Sequence, residues 1–441
     1  MSAPAFLRSP HDREIVRLAV PAFGALIAEP LYVLADTAVV GHMGTSQLAG
    51  LAIAASVLLT LYSVFIFLAY GTTAAVSRLL GAGDEREAAH QAVQSLWLAV
   101  LIGLVMIVVG FVLSGPVVDL LGADGDVRHY ALVYLRFSLL GIPAMLVVMA
   151  GTGYLRGLQD TRTPLLLAIG TGMLNLVLEL VLVYGFDQGI GASALTTVAV
   201  QYVAAAFYVS RVARSARRLE AGLAPHPASL RRLVVVARDL LLRTAALRMS
   251  LMVATAVAAR IGTVDLAAHQ VAFELWAFLA FALDAVAIAG QAIVGRSLGA
   301  GDGDDARAAG RRMIEWGVAL GVGVALLLVA LRPVLPHLFT DDEAVIALAQ
   351  FLLLWVAVLQ PLNAVAFVLD GVLIGAGDQQ FLAWAMLGAA VVFIPAAVAV
   401  GVLGLGIGWL WAALGLLMLA RAAALLWRFA GSSWIVLGAT R

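Results

Sequence analysis

The sequence predicts an all-α membrane protein with twelve transmembrane helices in two six-helix lobes. Three observations support this fold class: the composition, the spacing of the apolar stretches and an internal repeat. Of the 441 residues, 63% are hydrophobic and 12% are charged, and the mean hydropathy is +1.01. Globular domains are about half apolar and one quarter charged. Because no soluble core can hide so much apolar surface, the chain must use lipid as its solvent.

Twelve apolar stretches are long enough to cross a bilayer, which takes about 20 helical residues. Six precede and six follow a polar interruption, at 15–38, 48–76, 92–114, 130–152, 164–185, 191–212, 244–262, 268–295, 313–331, 345–373, 381–402 and 407–428. The polar first residues lack the apolar core and the cleavage site of a signal peptide, so we expect the first stretch to remain as a span.

The interruption divides the chain into predicted domains. These are an N-terminal segment (1–14), an N-lobe (15–212), a linker (213–243), a C-lobe (244–429) and a C-terminal segment (430–441). The linker is rich in arginine and is interpreted as a positively charged anchor with a stretch of surface helix.

Arginine is unevenly distributed between alternate loops. One set of loops carries Arg78, Arg86 and Arg296, whereas an opposite loop carries Asp124 and Asp126. The positive-inside rule then places both termini and the linker in the cytoplasm. We therefore predict a multi-pass protein of the cytoplasmic membrane of a bacterium.

Two missing residue types exclude several functions. The chain has no cysteine, so disulfides and thiolate metal sites are excluded. Its basic residues are all arginine, which excludes the lysine of a P-loop or of a Schiff base. There is also no HExxH motif and no nucleophile elbow. We predict no catalytic residue, no cofactor and no nucleic-acid partner.

The two halves of the chain are a repeat with a shift of 218 residues. Gly153 falls on Gly371 and Asp160 on Asp378, and the run Leu80 to Asp84 falls on Leu298 to Asp302. Six helices is an even number, so the halves share one orientation and are related by a pseudo-two-fold axis along the membrane normal. The Gly-Ala-Gly-Asp runs within the repeat are predicted to end one helix and to cap the next.

Ionisable residues inside the apolar stretches are the best candidates for function. Placing a charge near the bilayer centre costs several kcal/mol, so such residues usually line a polar cavity. The candidates are Glu29, Asp36, Glu179, Glu274, Asp284 and Asp370, with His269 near a helix end. The repeat does not duplicate them, which is expected if each lobe has a task of its own.

The N-lobe candidates predict a cation-coupling site. Asn175 and Glu179 are four residues apart and so share one helix face, and Asp36, Tyr134 and Thr197 are expected to complete the cluster. A desolvated carboxylate holds a proton and releases it when water or a cation enters. The alternative interpretation is a set of hydrogen bonds that only packs the helices together.

The first helix carries further candidates. Pro21 and Pro30 free backbone carbonyls and allow a bend before Asp36. Glu29 lies about two turns before Asp36 and is interpreted either as a second relay group or as the partner of Arg136.

The C-lobe candidates predict a substrate cavity. Glu274, Asp284 and Gln291 are spaced close to whole helical turns, which predicts a vertical polar stripe. With Asp370 in the tenth helix they suit cationic amphiphilic substrates. His269 is interpreted as a structural hydrogen-bond donor or, less simply, as a switch.

Three stretches, LADTAVVGHMG, LAAHQVAFELW and VLDGVLIGAGD, resemble the multidrug and toxic compound extrusion (MATE) family, in particular its DinF-like branch. The resemblance extends from about Ile15 to Phe429. It implies two bundles around a central cavity that alternate between inward-open and outward-open states, and export driven by proton or sodium entry.

The resemblance also implies a coupling site. Aspartate, tyrosine, asparagine, aspartate and threonine in the family match Asp36, Tyr134, Asn175, Glu179 and Thr197 here, and the bending proline matches Pro21. Glutamate at position 179 departs from the family pattern. Its extra methylene moves the carboxylate oxygens, which argues against a tight sodium site more than against protonation. A sodium ion at Asp36, Asn175, Glu179 and Thr197 stays an alternative, and no firm metal site is predicted.

The sequence therefore predicts a monomeric antiporter that exports small cationic or amphiphilic organic molecules in exchange for protons or sodium. One alternative is a flippase for lipid-linked intermediates, which would be favoured by extra spans and an arginine-rich cavity. Others are an intramembrane enzyme and a receptor without transport.

Overall fold

The computed structural model describes residues 9–186 and 189–439 of the chain, apart from the side chains of Glu29 and Tyr184. Every regular element in these ranges is helical. The α-helices are α1 (Pro10–Gly41), α2 (Thr45–Phe65), α3 (Phe67–Gly81), α4 (Glu85–Leu120), α5 (Gly125–Leu139), α6 (Ile142–Gly157), α7 (Arg162–Leu180), α8 (Ile190–Arg218), α9 (Pro227–Ile261), α10 (Thr263–Gly299), α11 (Gly303–Leu331), α12 (Glu343–Gly375), α13 (Gln379–Val402) and α14 (Ile407–Ala430). A π-helical turn, Val181–Gly185, extends α7.

The twelve predicted spans are confirmed. Within the described ranges, eleven helices or joined helices are long and apolar enough to cross a membrane, and α2 with α3 counts as one of them. The twelfth span is the pair α5 and α6, which is bent by 50°. Gly141 and Pro143 lie at this break, and proline cannot donate the backbone hydrogen bond that would continue α5. The stretch predicted at 130–152 is thus a broken span.

The contacts divide the chain into two compact units. Gly24–Ala237 forms the N-unit, and Met1–Phe23 together with Arg238–Arg441 forms the C-unit. The two boundaries between the units fall within α1 and within α9. Both helices also continue through the points where the predicted N-lobe begins and the predicted linker ends. The second part of the predicted linker is accordingly helical from Pro227 onward.

Packing within each unit repeats with the same 218-residue shift as the sequence. In the N-unit a Cβ on Gly153 would lie 2.4 Å from the carbonyl oxygen of Ala69, and in the C-unit one on Gly371 would lie 2.3 Å from that of Ala287. No side chain fits at that distance, so these glycines allow two helices to touch backbone to backbone. The duplicated residues therefore make duplicated contacts.

The Gly-Ala-Gly-Asp runs end helices as predicted, but only two of them cap the next helix. The Asp84 carboxylate accepts a hydrogen bond from the backbone N–H of Glu87 at 2.9 Å, and Asp302 accepts one from Asp305 at 2.8 Å. The prediction is wrong for Asp378, which does not cap α13. Its Oδ2 accepts a hydrogen bond from Arg428 Nε at 2.7 Å instead, because a guanidinium competes successfully for the carboxylate.

The first turn of α1 is fastened to α11 within the C-unit. Asp12 is buried and accepts hydrogen bonds from Arg312 Nε at 2.6 Å, Trp316 Nε1 at 2.7 Å and the backbone N–H of Ser9 at 2.8 Å. The Arg312 guanidinium holds the pKa of the Asp12 carboxyl well below its usual range. This clamp holds the start of the helix that later carries Asp36.

We expect Asp12→Asn to lower the thermal unfolding midpoint at pH 7 by roughly 5 °C, since charge-assisted hydrogen bonds are lost. A carboxyl with a depressed pKa stabilises the protein above its unfolded-state pKa, about 3.9. The difference from the wild type should therefore persist from pH 8 to about pH 5 and shrink as the pH falls through the folded-state value.

The measurement is thermal unfolding of the detergent-purified chain at several pH values. Asp119→Asn is the matched control, because its Arg128 partner lies at 2.5 Å but both side chains are exposed, and exposed pairs contribute little. Equal midpoints for the two variants would contradict the assigned strength of the Asp12 clamp.

Candidate functional site

Four helices of the N-unit bring two carboxyl groups to one buried hydroxyl. Tyr134 on α5 donates a hydrogen bond to Asp36 Oδ2 at 3.0 Å. Ser193 Oγ on α8 lies 3.0 Å from Asp36 Oδ1 and 2.6 Å from Glu179 Oε1. Asp36 is 6% exposed, and Glu179 and Ser193 are fully buried. The structure therefore brings together Asp36, Tyr134 and Glu179, as the sequence predicts.

Two members of this cluster were missed by the sequence reasoning. They are Ser193 and Tyr32, whose Oη lies 2.6 Å from Thr197 Oγ1. Both follow from helical spacing, since Tyr32 precedes Asp36 by four residues and Ser193 precedes Thr197 by four. Residues four apart share a helix face. The same spacing that joined Asn175 to Glu179 would have identified them.

Asn175 lies one turn before Glu179 on α7 and is 2% exposed. Neither its side-chain amide atoms nor Glu179 Oε2 has a hydrogen-bond partner among the described residues. Buried polar groups are almost always satisfied, by protein or by ordered water. These oxygens are the ones that could hold a cation or a water molecule next to the carboxyl pair. In the described part of the chain, no group of three or more His, Cys, Asp or Glu residues is arranged to hold a metal ion.

A cavity of about 260 Å³ lies within the N-unit, beside the carboxyl pair. Tyr32, Asn175 and Thr197 form part of its wall, whereas Asp36 and Glu179 are not among the lining residues. Three polar residues of the N-unit cluster therefore reach the wall of the cavity. The remaining polar lining residues are Tyr62, Thr152, Arg156, Thr171, Gln201 and Tyr208.

The other α1 candidates stay predictions. The side chain of Glu29 lies outside the described residues, and Arg136 donates from Nε to Ser114 Oγ at 3.2 Å. Pro21 and Pro30 lie inside one continuous helix, on either side of the boundary between the C-unit and the N-unit.

Asp370 in the C-unit is paired with two arginines, whereas the sequence predicts it as one of several acids in a substrate cavity. It is 4% exposed, and its Oδ2 accepts hydrogen bonds from Arg243 and Arg421. Arg421 is buried and also lies over the ring of Phe367, with its Cζ 5.2 Å from the ring centroid. The negative charge is neutralised inside the protein. Sequence reasoning missed Arg421 because only acids were sought inside the spans.

The other C-unit candidates lie at three levels of burial along α10. Glu274 is exposed and accepts a hydrogen bond from Gln270 Nε2 at 3.0 Å, Asp284 is half-buried, and Gln291 is buried. The polar stripe stays a prediction.

His269 is fully buried beside Phe273 and Trp411, with ring centroids 6.0 and 5.7 Å away. Its ring nitrogens have no hydrogen-bond partner among the described residues. For the predicted role of His269 as a structural hydrogen-bond donor, there is therefore no acceptor among the described residues. Its ring is part of an aromatic cluster.

Twelve spans, a duplicated scaffold and buried carboxyl groups beside a cavity define a multi-pass membrane transporter. The MatE family profile matches residues 21–181 and 240–399, which is most of the chain. The protein belongs to the MatE family, so it is a transporter and not an enzyme.

Two relatives illustrate the relationship. The chain is 31% identical to the protein DETOXIFICATION 44, chloroplastic, of Arabidopsis thaliana over 386 residues, which cover 85% of this chain and 74% of the relative. It is 32% identical to the DNA damage-inducible protein F of Escherichia coli K12 over 385 residues, which cover 84% and 82%. The resemblance to the DinF-like branch is thereby confirmed.

Solved structures confirm the fold. A crystal structure of MATE in the bent conformation matches with a TM-score of 0.87 at 21% identity, covering 96% of this chain and 97% of that one. MATE in the straight conformation matches over the same shares with a TM-score of 0.86. A MOP superfamily transporter from Pyrococcus furiosus, described as having a binding pocket of reverse polarity, matches with a TM-score of 0.84 at 21% identity, covering 98% and 99%.

Proposed function

We propose that the protein is a monomeric secondary antiporter of the cytoplasmic membrane, with both termini in the cytoplasm, that exports small amphiphilic organic molecules in exchange for protons. The observation that carries this proposal is the pair of buried carboxyl groups, Asp36 and Glu179, which meet at Ser193. Buried intramembrane acids are rare and are usually part of an ion or proton path.

Protonation provides the coupling step. A proton entering from outside neutralises the carboxyl pair. Without its negative charge the site no longer attracts a cation and no longer stabilises an open, hydrated arrangement. Asp36 lies on α1, the helix that carries Pro21 and Pro30 and so lacks two backbone donors. Neutralising Asp36 favours bending of α1 and outward release of the substrate, and loss of the proton to the cytoplasm resets the site.

The site favours a proton over sodium. Ser193 Oγ lies within hydrogen-bond distance of both carboxyl groups, so one hydroxyl contacts both of them. Tyr134 supplies a second hydroxyl to Asp36. Hydrogen-bond donors stabilise a carboxylate without a metal ion, and they leave fewer carboxylate lone pairs for sodium.

The cavity suggests the substrate class. Tyr32, Tyr62 and Tyr208 line it together with the amides of Asn175 and Gln201. Aromatic faces attract organic cations and stack on flat rings, and amides fix orientation. We infer amphiphilic substrates, cationic ones among them. One arginine, Arg156, is present among the described lining residues, which falls short of the arginine-rich cavity that a flippase for lipid-linked intermediates would favour.

Reconstitution tests the proposal. The full chain is placed in proteoliposomes, and movement of the cationic dye ethidium is followed under an imposed pH gradient and then under a sodium gradient at equal pH. We expect dye movement with the pH gradient and none with sodium alone. Dye movement driven by the sodium gradient alone would identify sodium, and not the proton, as the coupling ion. Dye movement that depends on neither gradient would reject antiport.

A further inference from the structure

We propose that Ser193 is a positioning residue that makes Asp36 and Glu179 share one proton. This inference rests on the proposed function, since it concerns the same site. A serine hydroxyl has one hydrogen, so it donates to one oxygen at a time. Ser193 Oγ is nevertheless within hydrogen-bond distance of both Asp36 Oδ1 and Glu179 Oε1.

The two contacts are satisfied together only when one carboxyl carries a proton. In that case Ser193 donates to the ionised carboxylate and accepts from the protonated one. The contact of 2.6 Å to Glu179 has the length of an O–H···O hydrogen bond with an ionised partner. With both groups ionised, one of them would face the oxygen lone pairs of Ser193 at 3.0 Å or less without a hydrogen between them.

The neighbouring hydroxyls are engaged elsewhere. Tyr134 donates to the other oxygen of Asp36, and Tyr32 pairs with Thr197. Thr196 donates to the backbone carbonyl of Ser193 at 2.7 Å. Among the described residues, the titratable groups around the pair are Tyr32 and Tyr134. Ser193 is therefore the described side chain whose hydroxyl contacts both carboxyl groups.

Sharing one proton has a functional consequence. Two buried carboxyl groups that interact strongly titrate as a pair and not as separate residues. Asp36 on α1 and Glu179 on α7 therefore act as one coupling unit, and Ser193 stabilises its singly protonated state.

The test compares three variants of the full-length chain in proteoliposomes. Ser193→Ala removes the hydroxyl, and Ser193→Thr retains it. Ser95→Ala is the matched control, since Ser95 is 1% exposed and donates only to a carbonyl of its own helix, Gln91, at 3.0 Å. The readout is the pH dependence of ethidium export, with its KM and kcat measured separately.

We expect Ser193→Ala to insert normally and to shift the midpoint of the pH profile downward by about one unit. The singly protonated pair loses two hydrogen bonds and the doubly ionised pair loses one, so the shared proton is bound about tenfold less tightly. Ser193→Thr should stay close to the wild type, and Ser95→Ala should not change the profile. The infrared band of protonated carboxyl groups, titrated on the purified protein, should change in Ser193→Ala and stay the same in the control.

A wild-type pH profile and a wild-type infrared titration for Ser193→Ala would overturn the bridge. That result leaves the proposed function standing as long as Asp36→Asn still fails to export. If Asp36→Asn exports normally, the coupling site itself is wrong. The two failures are thus distinguishable, and the infrared titration decides the inference even where a variant transports poorly.

Discussion

Replacing Asp36 with asparagine should leave a folded, inserted protein whose gradient-driven export falls about 100-fold or more. Asparagine retains an oxygen that accepts the hydrogen bond from Tyr134 and has nearly the same size, so the packing of α1 is kept. It cannot take up or release a proton. Removing a group that transfers a proton in a reaction typically costs 10²- to 10⁴-fold, and an antiporter without its proton carrier has no driving force.

The measurement is ethidium export under a pH gradient, normalised to the amount of protein in the membrane. Asp126→Asn is the matched control, because it makes the same chemical change at an exposed position in the first turn of α5. Glu179→Gln should also lose export, since the partner carboxyl is removed. Export by Asp36→Asn at the level of Asp126→Asn would show that coupling takes place elsewhere.

The fold was largely predictable, because it depends on properties that a single sequence carries. Apolar stretches of membrane length identify the spans, and the shift of 218 residues identifies the duplication. The equivalence of Gly153 and Gly371 extends to their packing partners, Ala69 and Ala287. The break between α5 and α6 was less evident from the sequence, since hydropathy does not report the direction of a helix axis.

The N-unit site was predictable in part. Asp36 and Glu179 can be identified from the sequence, because an acid inside an apolar stretch costs free energy and usually has a functional role. Ser193 carries no such cost, since a serine satisfies its hydroxyl on its own helix. Only the distances of 3.0 and 2.6 Å to two different carboxyl groups distinguish it. Helical spacing from Thr197 would have brought it into consideration.

The C-unit shows where a single sequence gives too little. Asp370 and Arg421 are 51 residues apart, and Arg243 is 127 residues from Asp370. Pairing over such separations depends on the way the helices pack, and hydropathy does not report it. A carboxylate that looked like a cavity residue is consequently held between two guanidinium groups.

This buried group of charges should be sensitive to the loss of one member. Asp284 adds an attractive charge near Arg421, so two arginines and two aspartates balance one another. Breaking a buried ion pair on one side typically costs about 3–5 kcal/mol, because a charge is left uncompensated. We expect Arg421→Gln to lower the thermal unfolding midpoint of the detergent-purified chain by about 10 °C.

The double variant Asp370→Asn with Arg421→Gln restores the balance, leaving Arg243 with Asp284, and should recover part of the lost stability. Arg128→Gln is the control, because it makes the same substitution at an exposed ion pair and should change the midpoint little. A double-mutant cycle over Asp370 and Arg421 then measures their interaction directly. If the double variant is as unstable as the sum of the single variants, the two charges do not act together, and Asp370 would have to be reconsidered as a residue that serves the substrate.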